Sequence, residues 1–492
     1  MTTNPFLLTD YYKVGHVFQY PAGTTLVYSN LTPRKSRMDN VDEMVFFGLQ
    51  YFIKEYLNGY FNKNFFNLPK EKVMHEYKRR ITTSLGGLPT YEHIEKLHDL
   101  GYLPIEIKAL PEGSRVPMRV PCITIANTIP EFYWLTNFLE TILSAIIWQP
   151  CTSATIAYEY RKLLNHYADE TGMPAEFVQW QGHDFSFRGM SSLESAVLSG
   201  MGHLLSFTGT DTIPAIDALE EYYGANADDE LIGGSVAATE HSVMCSGSKD
   251  GELETFKRLI TEVYPAGIVS IVSDTWDIWK VCTEYVSALK ELILQRDGKV
   301  VIRPDSGDPV KIICGDPDGK TEAERKGVVE LLWDVFGGTI TGKGYKLLDN
   351  HIGAIYGDSI NLQRADAICK GLQQKGFASQ VVFGIGSYTY QFNTRDTFGM
   401  AMKATYVEVN GEGREIFKNP VTDDGTKKSA TGLLQVKLED DKYVLYDKVC
   451  WNEEKESALQ TVFKDGKLLK EISLKEIRER LMTVNKVENI TI

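Results

Sequence analysis

Short apolar runs recur through the middle of this chain, and each one stops at a polar cluster. FVQW leads into His183-Asp184-Phe185, GIVSIV into Ser273-Asp274, and VVI into Arg303-Pro304-Asp305. GAIY leads into Gly357-Asp358 and SQVVF into Gly384-Ile385-Gly386, while Gly209-Thr210-Asp211 and Glu240-His241 fall between these runs. Most intervals are about thirty residues, the length of one strand–helix unit. Near-continuous apolar strands alternating with helices imply a parallel sheet covered on both faces. Seven such units fit a parallel α/β barrel, closed or incomplete, better than an open sheet. In such barrels the chemistry sits at the C-terminal strand ends, where these polar clusters fall.

A length of 492 residues exceeds one ordinary core, so two domains are expected. The barrel is expected over 176–386 as the catalytic domain. Residues 152–171 read as an amphipathic helix closed by Gly172, with Pro174 stopping continuation. Helix starts are expected at Ser191-Ser192-Leu193-Glu194, a capping-box pattern, and just after Asp274. Beyond 386 the pattern changes: YVEVNGEGREIF and TVFKDGKLLK carry Asn-Gly and Asp-Gly turns and read as antiparallel hairpins. This section is expected to return to the N-terminal segment, so that 1–175 and 387–492 form a second, discontinuous α+β domain containing antiparallel strands.

Composition excludes several classes. Hydrophobic residues make up 43% and charged residues 24%, and the most apolar stretch, around Phe132 to Trp148, is broken by Asn137 and Glu140. No membrane span is expected. The N-terminus lacks a basic start followed by an apolar stretch, so no export signal is expected and the cytoplasm is the default location. Seven scattered cysteines without a C-x-x-C pair argue for a reducing compartment. A net charge of −14 argues against broad nucleic-acid binding, though a small anion needs only a local basic pocket.

Several residues have the chemistry of a site. Arg303 offers a fork for phosphate or carboxylate, and Asp305 could accept from ribose hydroxyls or hold a metal; the alternative is an ion pair in a polar loop. Phe185 and Arg188 in HDFSFRG combine a stacking face with a cation; the equal alternative is a core Phe beside an ion pair. Asp211 suits a ligand amide or a helix N-cap, and these roles can coexist. His241, beside Glu240, is by itself more often a satisfied structural histidine. Gly337 to Lys343 matches G-x-x-x-x-G-K, but Gly344 replaces the Ser or Thr of a P-loop, so that reading fails.

From end to end the chain resembles the nicotinamide phosphoribosyltransferase family. The resemblance is carried by LLTDYYKVGH, VFFGLQY, GYLPIEIKALPEG, PEFYWLTNFLETIL, HDFSFRG, FTGTD, EHSV, VSDTWDIW, VIRPDSGDP, GYKLL, YGDSI, TRD and TVFKDGK. It implies a type II phosphoribosyltransferase-like barrel and phosphoribosyl transfer from 5-phosphoribosyl 1-pyrophosphate to nicotinamide, forming the mononucleotide and pyrophosphate in NAD salvage. It also implies Mg²⁺, ATP as co-substrate, and a homodimer with active sites at the subunit interface.

By matched motif, Phe185 would stack on the pyridine ring and Tyr12 would cover its other face from the partner chain. Asp211 would accept from the carboxamide, with Arg188 near the amide and phosphate. Arg303, Asp305, Asp277, Ser273, Gly357 and Asp358 would meet substrate, Asp305 also serving the metal. Gly386, Ser387 and Arg395 would hold the 5′-phosphate, with Arg34 and Lys403 as basic helpers. His241 would be the histidine phosphorylated when ATP hydrolysis is coupled to synthesis. Vertebrate members carry GSGGG where this chain has Gly384-Ile385-Gly386-Ser387-Tyr388, a bulkier phosphate loop. Two other readings are a nicotinate phosphoribosyltransferase and a catalytically silent binding protein on the same scaffold.

Overall fold

The computed structural model describes residues 3–422 and 428–483. They divide into two compact units, one running to Thr155 and adding Ala218–Ala225 and the chain from Asn393 onward, the other comprising Ile156–Asp217 and Asn226–Phe392. The boundaries therefore fall at 155/156 and 392/393, where the sequence pattern suggests 175/176 and 386/387.

The second unit is built on a seven-stranded sheet. From edge to edge its strands are Gly209–Thr210, Gly182–Asp184, Val381–Ile385, Ile352–Tyr356, Asp297–Arg303, Ala266–Val272 and Ala237–Ala238. All neighbours pair in parallel. A parallel bridge between Gly209 and Gly234 joins the first edge to the segment entering the last strand, which curls the sheet back on itself. The strands are rich in Val and Ile, and Val269, Ile271, Val300 and Ile302 are buried. Residues one apart from these, Ser270, Val301 and Arg303, face inward and line an interior cavity of about 300 Å³.

The first unit carries a second seven-stranded sheet, antiparallel throughout. Strand Thr24–Thr32 lies between Ile123–Asn127 and Ala401–Val409, so the C-terminal section does return to the N-terminal one. Both expected hairpins form: Asn410 and Gly411 take φ of 54° and 79°, Asp465 and Gly466 take 48° and 77°, as tight primed turns require.

Four local expectations change. FVQW is not a strand: Ala175–Gln181 is helical, entered from Pro174, and the strand is the next segment, Gly182–Asp184. The helix expected over 152–171 extends from Glu140 to Thr171 and carries Pro150 inside it. The cap of helix Leu193–His203 is Ser192, whose side chain accepts from Ser195 N–H, rather than a box begun by Ser191. The helix after Asp274 is capped by Asp277 instead. Residues Gly338–Ile340 pair antiparallel with Lys346–Leu348, a hairpin rather than a phosphate loop. Among the described residues no helix is long and apolar enough to cross a membrane.

Candidate active site

A cavity of about 900 Å³ opens where the parallel strands end. Phe185, Arg188, Asp211, Arg303, Asp305, Gly357, Asp358, Gly386 and Ser387 all line it, so residues scattered over two hundred positions share one chamber. Each sits just past a strand or at its last residue, which is why a parallel arrangement gathers them.

Phe185 is seated by glycines. A Cβ at Gly384 would fall 2.4 Å from the Phe185 ring, and one at Gly357 would fall 3.2 Å from it. The ring can lie against the sheet only because both neighbours lack side chains. The His183 ring stands 4.9 Å away at 57°.

Asp211 follows the strand that pairs with His183 and Asp184. Its Oδ1 accepts from His183 Nε2 at 2.9 Å and from Ser235 Oγ at 2.7 Å. Burial pushes its carboxyl up, but the bonds from His183 and Ser235, with the charges of His183 and Arg303, outweigh that and hold it below the usual range.

Arg303 donates from Nη2 to the Thr239 carbonyl at 2.9 Å, and its Nε stands 3.5 Å from Asp305 Oδ2. Asp305 N–H donates to Asp274 Oδ2 at 2.9 Å. Burial raises the Asp305 carboxyl; Arg303 offsets part of this, while Asp274 and Asp358 add repulsion. His241 is half exposed; its Nδ1 lies 3.2 Å from Thr275 Oγ1 and its Nε2 3.9 Å from Asp274 Oδ1.

Two residues assigned by resemblance also hold local structure. Ser273 is fully buried, and its hydroxyl donates to the Ile271 carbonyl. Asp277 caps the helix that follows, its Oδ1 accepting from Trp279 and Lys280 N–H. The carboxylate beside His241 and Asp305 is Asp274, which the sequence pattern marks only as a helix start. A signal for it exists, because Asp274 is the first acidic residue past the strand Ala266–Val272.

Tyr12, Arg34, Arg395 and Lys403 belong to the other unit. Tyr12 is 61% exposed, beside His16. Arg34 Nε donates to the Gly399 carbonyl at 2.8 Å, and Arg395 reaches Asp396 at 3.5 Å. Burial lowers the Lys403 ammonium, with Glu140 opposing and Arg34 adding to the shift. No set of three or more His, Cys, Asp or Glu side chains among the described residues is arranged to hold a metal ion.

Known proteins resemble this chain in sequence and fold. Residues 180–467 match the nicotinate phosphoribosyltransferase (NAPRTase) family, and residues 4–107 match the nicotinamide phosphoribosyltransferase N-terminal domain. A nicotinamide phosphoribosyltransferase of Acinetobacter baylyi is 57% identical over 97% of this chain and 97% of its own. One from Mycoplasma pneumoniae is 36% identical over 87% of this chain and 94% of its own. Among solved structures, a nicotinate-nucleotide pyrophosphorylase from Pyrococcus furiosus superposes with a TM-score of 0.60 at 14% identity, covering 99% of this chain and 97% of that one. Human nicotinic acid phosphoribosyltransferase superposes with a TM-score of 0.54 at 14% identity, covering 98% and 94%. These two share the fold, a curled parallel sheet with a separate antiparallel one. This chain is a phosphoribosyltransferase and belongs to the nicotinamide phosphoribosyltransferase family.

Proposed function

We propose that this chain transfers the phosphoribosyl group of 5-phosphoribosyl 1-pyrophosphate to nicotinamide, for NAD salvage. The observation that carries this reading is the placing of Phe185 and Asp211 in one cavity with Arg303 and Asp305. Phe185 offers a flat face to a pyridine ring, worth roughly 0.5–1.5 kcal/mol beyond burial. Asp211 accepts from a carboxamide N–H and repels a carboxylate. Arg303 and Arg188 supply positive charge for phosphate oxygens, and the backbone at Gly386-Ser387 is open to the 5′-phosphate.

In the reaction the pyridine nitrogen forms a bond to C1 of the ribose as the bond from C1 to pyrophosphate breaks. Positive charge grows on the sugar in between. The nitrogen lone pair needs no deprotonation, so the side chains act by aiming the ring and holding the leaving group.

Asp305, with Asp274 and Asp358, presents hard oxygen donors whose mutual repulsion a cation would relieve. They do not form a ready three-carboxylate metal site, but Mg²⁺ is commonly held by one or two carboxylates plus substrate phosphates, and Asp305 would be the carboxylate that serves it. When bound it would neutralise charge on the pyrophosphate. His241 would take a phosphoryl group from ATP, with ADP leaving; its half-exposed ring, flanked by Asp274 and Thr275, is open to such a donor. This supports ATP as co-substrate. Exposed Tyr12 supports a homodimer in which it serves the partner's site.

The test incubates the purified chain with nicotinamide, the pyrophosphate donor and Mg²⁺, with and without ATP. Mononucleotide is expected in both, with more when ATP is present, and His241→Ala should abolish only the ATP increment. No mononucleotide under either condition would refute the reading.

A further inference from the structure

Three side chains meet on the inner face of the parallel sheet. His183 Nε2 lies 2.9 Å and Ser235 Oγ 2.7 Å from Asp211 Oδ1, and the two donors are themselves 3.4 Å apart. A carboxylate has no proton to give, so Nε2 carries hydrogen and donates. Both bonds fall on Oδ1, which leaves Oδ2 to accept from a ligand. His183 is almost enclosed, its side chain 9% exposed, whereas that of Asp211 is 50% exposed.

The backbone is built around this imidazole. His183 pairs with Gly209 across the parallel ladder, and a Cβ at Gly209 would lie 2.7 Å from His183 Nδ1. Glycine at 209 therefore makes room for the ring. On its other side the ring meets Phe185 at 4.9 Å. One buried side chain thus touches both groups that would recognise the heterocycle.

We propose that His183 is a positioning residue for amide recognition: its Nε2–H pins Oδ1 of Asp211 and so presents Oδ2 to the ligand's N–H. This rests on the reading of Asp211 as the carboxamide acceptor. Without the pin, Oδ1 retains the bond from Ser235, but a carboxylate held from one side turns more freely about its terminal torsion and aims its acceptor oxygen less well. A hydrogen bond to a charged partner is worth enough to make this loss about tenfold or more. It falls on the amide substrate alone, because nicotinate gains nothing from an aimed carboxylate.

The experiment measures kcat/KM for nicotinamide and for nicotinate with the full chain, the pyrophosphate donor and Mg²⁺. The ratio of the two is taken within one preparation, so the folded fraction cancels. His183→Leu keeps bulk against Phe185 but removes the donor. It should lower the nicotinamide-to-nicotinate ratio about tenfold, through nicotinamide KM rather than kcat. His183→Gln retains an N–H at similar reach and should restore most of the ratio, whereas His183→Asn, one methylene shorter, should not. If His183→Leu or His183→Asn leaves the ratio unchanged while Asp211→Asn collapses it, His183 is only structural and the proposal falls. A loss in His183→Gln as large as in His183→Leu overturns it too. If Asp211→Asn itself leaves the ratio unchanged, the underlying reading of Asp211 fails instead.

Discussion

Asp274 and Asp277 stand three residues apart and serve different ends. The strand stops at Val272, and Asp274, its side chain 6% exposed, turns its two oxygens toward Asp305 and His241. Asp277 lies one turn later and satisfies the open N–H groups of a helix. Motif matching cannot separate these roles, since both residues are acidic and both belong to VSDTWD. A third acid close to this helix yields a prediction. Glu252 is 2% exposed with an unpartnered Oε1, and burial, partly offset by Tyr285 and reinforced by Asp277, pushes its carboxyl up to about 7. The folded chain therefore holds a proton that the unfolded chain has released, and this stabilisation fades as pH rises through about 7. Glu252→Gln keeps the shape without the charge. It should melt at a higher temperature than the unaltered protein at pH 8, and the gap should close near pH 5. Identical melting temperatures at pH 8 would contradict the assignment.

At the scale of elements, turns and strands differ in how visible they are. The Asn410-Gly411 and Asp465-Gly466 hairpins are legible because left-handed backbone at both positions demands such residues. FVQW is not, because a short apolar run serves equally as strand or buried helix, and only the pairing of Gly182–Asp184 decides. The strand Val381–Ile385 shows how an element shapes the site. Gly384 reads as part of a phosphate loop, yet its missing side chain seats Phe185: a methyl group there would lie only 2.4 Å from the ring and 2.7 Å from Gly357 Cα. Gly384→Ala should cost about 1–3 kcal/mol by overpacking. It should also raise the KM for nicotinamide, because the displaced ring is the proposed stacking face. Denaturant unfolding alongside kinetics checks both, and wild-type stability would show that the ring does not rest there.

For the molecule as a whole, chain ends are bound together by the antiparallel sheet. Thr24–Thr32 uses Ala401–Val409 as a neighbour, and Ile105–Ala109 uses Gln460–Lys464. A fragment of residues 1–386 would leave these strands with open edges. It is expected to aggregate on size-exclusion chromatography, and a monodisperse fragment with a cooperative melt would contradict this. Much of this plan was written locally: strand–helix alternation, strand-end polar clusters and hairpin turns depend on neighbours a few residues away, so the sequence determined them unaided. The site needed more. That Phe185, Asp211, Arg303 and Asp305 open into one chamber follows from parallel register, and that Ser273 turns its hydroxyl to Ile271 while Asp274 turns its carboxylate to Asp305 depends on where a strand ends. The single oxygen of Asp211 shared by His183 and Ser235 depends on residues up to 52 positions apart. Only the tertiary structure decided these, because contacts between distant segments are set by packing and pairing geometry rather than by any property of the residues alone.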